Sequence, residues 1–131
     1  MIGVDTNILV RYLTQDDPSQ ARRVDALLKE AFDANDQVYI DDVVLCEMVW
    51  VLGARYRYEK SAVTAVLDDL LETTLFAFED RNLLRRALDA FRSGAGDFAD
   101  YVIGLRNARA GCENTVTFDR ALRGRAPFAS L

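Results

Sequence analysis

An α/β fold, with a mostly parallel sheet between layers of helix, is what the 131-residue sequence predicts. Three observations carry that expectation. Short apolar, β-forming runs alternate with longer runs of helical periodicity, the pattern of strand–helix–strand units. Acids, prolines and glycines fall where a helix would begin or end. Half of the residues are hydrophobic and 28% are charged, a balance that gives one core-forming domain over residues 1–131 rather than a disordered chain.

The elements follow in order. Ile2–Val4 is a short buried strand, and Asp5-Thr6-Asn7 leads into an apolar stretch, Ile8 to Leu13, that reads as a short helix. Asp16-Asp17-Pro18 starts a helix, with an acidic cap ahead of proline in the first turn. From Pro18 to about Asn35, Val24, Leu27, Leu28, Ala31 and Phe32 recur at helical spacing. Val38-Tyr39-Ile40 is a second strand, after which Asp41 or Asp42 caps a helix running to about Tyr56. Lys60 to about Thr73 forms another, with Val63, Val66, Leu67, Leu70 and Leu71 on one face. Leu75–Phe78 reads as a short strand, and Asp80 opens a helix through Leu83, Leu84, Ala87, Leu88 and Phe91. Ser93-Gly94-Ala95-Gly96 breaks the chain before a helix from Asp97 to about Ala110, ended by Gly111. Thr115–Phe118 is a strand, Asp119 starts a last helical turn, and Pro127–Leu131 reads as a closing strand.

Composition excludes several chemistries. The sequence has no histidine, which removes Ser-His-Asp and Cys-His nucleophiles and any histidine-held metal. Cys46 and Cys112 lack zinc-ligand spacing, and a reducing compartment is the expected setting. The start Met1-Ile2-Gly3-Val4-Asp5 lacks the basic region of a secretion signal, and no apolar stretch is long enough for a bilayer, so a cytoplasmic protein off the membrane is expected. A net charge of −5 argues against broad nonspecific nucleic-acid binding. Fourteen of the sixteen basic residues are arginine, which suits bidentate phosphate contacts and is equally what a GC-rich genome writes.

Most acids lie on polar helix faces, but five do not: Asp5, Glu47, Asp97, Asp100 and Asp119. Asp5 and Asp119 each end a strand and precede a helical start, so each is a ligand at the sheet's carboxyl edge or simply an N-cap. Glu47 is the one charge between Val43 and Leu52, in a helix apolar on nearly all sides, which predicts a buried carboxylate that needs an arginine, a proton or a metal. Asp97 and Asp100 share one face of a first turn after the glycine break, as ligands or as a cap with a first-turn acid. Carboxylates gathered at one sheet edge repel unless a hard cation holds them. Oxygen-only ligation favours Mg²⁺ or Mn²⁺, and without histidine a metal-activated water is the expected nucleophile, acting on a phosphate.

These segments resemble the PIN domain, more narrowly the VapC-type ribonuclease toxins. Ile2-Gly3-Val4-Asp5-Thr6-Asn7 resembles the family's opening motif, Val44 to Leu52 its glutamate-bearing helix, Asp97-Phe98-Ala99-Asp100 its third acidic motif and Thr117-Phe118-Asp119-Arg120 its fourth. The resemblance implies a three-layer α/β/α sandwich and a Mg²⁺- or Mn²⁺-dependent endoribonuclease. It implies Asp5, Glu47, Asp100 and Asp119 as the catalytic and metal-holding acids, with Asp97 auxiliary. On that reading Asp5 and Asp100 hold the ion directly, and Asp119 and Glu47 act through water or a second ion. Thr6, Asn7 and Thr117 would orient water or phosphate, and Arg120, Arg123 and Arg125 would contact the RNA backbone or remain a solvated tail. It further implies a homodimer and a small VapB-type antitoxin encoded beside it. Tyr101 and Gly104-Leu105 depart from the small residue and alanine pair the family often carries there.

Three other readings compete. A Mg²⁺-dependent phosphatase with Asp5 as nucleophile would want a second acid where Asn7 stands and a lysine near the site. A catalytically inactive PIN-like scaffold would keep the fold without the chemistry. A phosphoacceptor receiver domain would want a late lysine, and none follows Lys60.

Overall fold

The computed structural model describes residues 1–131, which form two compact units, Met1–Glu79 and Asp80–Leu131. The first unit runs β1 (Ile2–Val4), α1 (Thr6–Thr14), α2 (Pro18–Asp33), β2 (Val38–Ile40), α3 (Asp42–Ala54), α4 (Lys60–Glu72) and β3 (Phe76–Ala77). Its three strands pair in the order β1-β2-β3, all parallel, with Gly3 opposite Tyr39 and Tyr39 opposite Ala77. Strands this short are held by what packs on them. Val38 and Ile40 on the central strand are fully buried, as are Leu45, Met48 and Leu52 of α3 and Leu67 of α4. Tyr12 of α1 meets Phe76 of β3 edge to face at 6.0 Å.

Side-chain caps start the helices where the sequence places acids. Asp5, Asp17 and Asp41 each accept a hydrogen bond from a backbone N–H of the first turn, and Pro18 takes the first helical position of α2. Arg11 ties three segments together. Its guanidinium donates to Gln20 Oε1 (2.7 Å), Asp16 Oδ1 (3.0 Å) and the Tyr56 hydroxyl (3.3 Å), while that hydroxyl donates to Asp16 Oδ2 (2.6 Å).

The second unit runs α5 (Arg81–Ser93), α6 (Phe98–Arg109), β4 (Thr115–Thr117), a 3₁₀ turn (Arg120–Leu122) and β5 (Phe128–Ser130). β4 and β5 pair in parallel, Thr115 opposite Phe128. Leu84, Ala87 and Leu88 of α5 are buried with Phe98 and Val102 of α6, and Phe91 meets Phe98 edge to face at 6.0 Å. Gly104 admits the Phe128 ring: a Cβ there would lie 2.7 Å from Phe128 Cζ and 3.1 Å from Pro127 Cγ. Tyr101 is buried, stacks edge to face on Phe128 at 6.2 Å, and accepts a hydrogen bond from Gly96 N–H at 3.0 Å. Both departures from the family's pattern are thus packing positions of this unit.

The elements lie where the sequence places them, to within about two residues, and every strand pairing is parallel. No helix is long and apolar enough to cross a membrane.

Candidate functional site

Asp5 follows β1 directly, in extended backbone, and its Oδ1 accepts from Ile8 N–H at 3.1 Å. The cap and the exposed position at the strand's carboxyl end are therefore both real. Thr6 begins α1, and its hydroxyl donates to Glu47 Oε2 of α3 at 2.7 Å. An open hollow of about 410 Å³ is lined by Asp5, Thr6, Asn7, Glu47, Trp50, Val51 and Arg55. A neighbouring hollow of about 510 Å³ shares Asp5 and Asn7 and adds Arg11, Gln20 and Arg23.

Glu47 corrects one expectation. It is exposed, not buried, because α3 is buried on one face only. Leu45, Met48 and Leu52 point into the core, while Val43, Glu47 and Trp50 share the outer face, with Val43 58% and Trp50 64% exposed. An apolar outer face hides amphipathicity from a reading of hydrophobicity alone.

In the second unit, Asp100 is half-buried on the first turn of α6, and its Oδ2 accepts from Asp97 N–H at 2.9 Å. Asp97 is the exposed cap residue of the same helix. Asp119 follows β4. Its Oδ1 accepts from Ala121 N–H and its own N–H donates to Thr117 Oγ1, both at 2.9 Å. Arg120, Arg123 and Arg125 are all exposed; Arg125 also donates to Ser93 O at 3.2 Å and lines a hollow with Arg86 and Tyr101.

The first unit therefore brings Asp5, Thr6, Asn7 and Glu47 to one hollow, and the second sets Asp97 with Asp100 and Asp119 with Thr117. No group of three or more Asp, Glu or Cys side chains stands ready to hold an ion together. In the sequence Trp50 belongs to an apolar helix face that fits either core or dimer surface, and nothing marks Arg55; the spacing does set Trp50 one helical turn past Glu47. Charge is divided unevenly. Residues 1–79 carry seven basic and fifteen acidic residues, net −8, and residues 80–131 carry nine arginines against six acids, net +3.

Comparisons with known proteins place the chain in a family. The PIN domain pattern matches residues 2–126. A VapC ribonuclease of Aquifex aeolicus (strain VF5) is 21% identical over 120 residues, covering 92% of this chain and 88% of that protein. With the pattern matched over nearly the whole chain, the chain belongs to the PIN domain family.

Proposed function

We propose that this chain is a Mg²⁺- or Mn²⁺-dependent endoribonuclease, the toxin of a type II toxin–antitoxin pair, working in the cytoplasm as a homodimer and silenced by a small VapB-type antitoxin. Its two units would act as one PIN domain. The observation that carries this reading is the hollow at the end of β1, where Asp5 and Glu47 stand together with Thr6 and Asn7. The family match and the ribonuclease named among its relatives support it.

The donor set suits a hard cation: every candidate ligand is a carboxylate oxygen and no histidine is present. On the reading the family resemblance implies, Asp5, Glu47, Asp100 and Asp119 would hold it, with Asp97 auxiliary. When bound, such an ion supplies a water acidic enough to attack a phosphodiester at neutral pH. The chain's own residues prepare the ligands. Each of the four acids has one oxygen fixed, by Ile8 N–H, the Thr6 hydroxyl, Asp97 N–H and Ala121 N–H respectively, which leaves the other as a candidate ligand. Asn7 offers an exposed amide to a phosphate or water in the same hollow, Thr117 braces Asp119, and Arg120, Arg123 and Arg125 offer backbone contacts to RNA.

The test incubates purified protein with mixed single-stranded RNA in Mg²⁺, in Mn²⁺ and in chelator, alongside Asp5→Asn and Glu47→Gln. Cleavage that needs the cation and falls to background in Asp5→Asn is expected. Cleavage unaffected by chelator or by Asp5→Asn overturns the mechanism. A fully folded protein inert with every RNA and cation leaves the inactive-scaffold reading, and release of phosphate from small esters leaves the phosphatase.

A further inference from the structure

Among the residues lining the hollow beside Asp5 and Glu47 that the metal chemistry does not use are Trp50 and Arg55. Trp50 is the sole tryptophan of the chain and shows 64% of its surface to solvent. An indole left largely in water forgoes the gain of burial, so its position beside charged groups invites a function. An apolar protein surface is a poor occupant, since it would strip water from Glu47 and Arg55 on either side. A nucleobase is a better one: it stacks on the indole face while its edges and phosphates stay hydrated. Arg55, at the C-terminal end of α3, supplies the cation that a flanking phosphate needs among so many carboxylates.

We propose that Trp50 and Arg55 form a nucleotide subsite for single-stranded RNA, with Trp50 stacking on one base and Arg55 pairing with the adjoining phosphate. This rests on the ribonuclease reading above and deepens it by naming where one nucleotide sits. Asn7 and Thr6 line the same hollow and offer hydrogen bonds to its sugar or base edge. A duplex keeps its bases stacked on each other and is excluded from the indole, so the subsite selects unpaired RNA. The hollow, about 410 Å³, is at the scale of a site for one small ligand and not of a groove for a helix.

Because Trp50 is the only indole, its fluorescence reports on this subsite alone. A fluorescein-labelled, mixed-sequence RNA decamer is titrated into the intact protein, with Ca²⁺ replacing Mg²⁺ to slow turnover. Anisotropy reads whether RNA binds, and a parallel titration with unlabelled decamer reads Trp50 emission. Expected are binding with quenching of Trp50 by the single strand, little of either with the annealed duplex, affinity about tenfold weaker in Trp50→Ala, and near wild-type affinity in Trp50→Phe. Arg55→Ala should weaken binding and lower its salt dependence by about one unit of slope. Binding with unchanged Trp50 emission overturns the subsite and leaves the ribonuclease reading standing. Absence of any binding by anisotropy overturns both. A blue-shifted emission of the protein alone that reddens on dilution puts a second copy on this face and overturns the subsite. Both positions are exposed, and a thermal melt of each variant checks that folding is unchanged.

Discussion

The Thr6 hydroxyl donates to Glu47 Oε2 at 2.7 Å, joining residues 41 positions apart. Thr6 follows Asp5 directly, and Asp5 is held by Ile8 N–H. The start of α1 thus fixes one acid through its own backbone and the other through a side chain. The arrangement holds two like charges on the wall of one hollow, which costs Coulomb energy that the hydrogen bonds offset in part.

Thr6→Val keeps the shape and removes the donor. A loss of about 1 kcal/mol is expected, equivalent to a fall of roughly 4 °C in the melting temperature. Thr6→Ser should stay near wild type. On the proposed ribonuclease reading, activity in Thr6→Val should drop by about tenfold, the usual effect of removing a partner that orients a ligand. Equal melting points and equal activities for the Val and Ser variants would show that the bond positions nothing.

Asp100 has two duties that separate experimentally. It accepts from Asp97 N–H at 2.9 Å, a cap that asparagine can also make through its amide oxygen. Asp100→Ala should therefore lose about 1 kcal/mol of stability in chelator, while Asp100→Asn should be as stable as wild type or more so, since a negative charge has gone. Mn²⁺ at about a hundredfold excess over its Kd should then stabilise wild type by ~2.7 kcal/mol and Asp100→Asn by much less. Thermal melts in chelator and Mn²⁺ decide it. If Mn²⁺ moves neither protein, Asp100 is a cap only.

Gly104 is tested by its smallest enlargement. A Cβ there would come within 2.7 Å of Phe128 Cζ and 3.1 Å of Pro127 Cγ, so the ring or the β5 backbone must shift. Gly104→Ala should cost about 1–3 kcal/mol by overpacking, against the gain of ~1 kcal/mol that alanine ordinarily brings to a helix interior. Gly104→Ala combined with Phe128→Leu should recover part of the loss by making room. Denaturant midpoints read both, and a stabilised single variant would show that the ring moves aside freely.

Much of this was legible in the sequence because the signals are local. Asp5, Asp17, Asp41, Asp80 and Asp119 announce helix starts since a short carboxylate reaches the first-turn N–H groups, and each does so here. Of the candidate acids, Asp5 and Asp119 stand at such positions, whereas Asp100 is marked by its one-turn spacing from Asp97 and Glu47 by being the one charge in an apolar stretch. The orientation of α3 was not legible. Val43 and Trp50 are as apolar as the buried Leu45 and Met48, so nothing in the pattern says which face is outside, and Glu47 was expected inside. Nor is the Thr6–Glu47 bond written locally, because tertiary packing of α1 on α3 creates it. Arg11 reads in sequence as one basic residue in an apolar helix, and only the fold supplies Asp16, Gln20 and Tyr56 as its partners.

That Arg11 network sets the response to acid. Asp16 is held below the usual carboxylate range, first by the Tyr56 hydroxyl and then by Thr14, with Arg11 adding to the effect. Asp80 is lowered by the Leu83 N–H and then Arg109, and Asp36 by the Gln37 N–H and then the N-terminal ammonium. A carboxylate whose pKa is depressed on folding contributes stability that is fully present above its unfolded value, near 4, and is lost as pH falls through the folded value. The melting temperature should therefore hold from neutral pH to about pH 5 and decline below about pH 4. Tyr56→Phe removes the donor that depresses Asp16 most. Its melting temperature should lie below wild type at neutral pH, and the two should converge as acid protonates Asp16 in both proteins. A gap that stays constant down to pH 2 would mean that Tyr56 stabilises the chain by packing and not through Asp16.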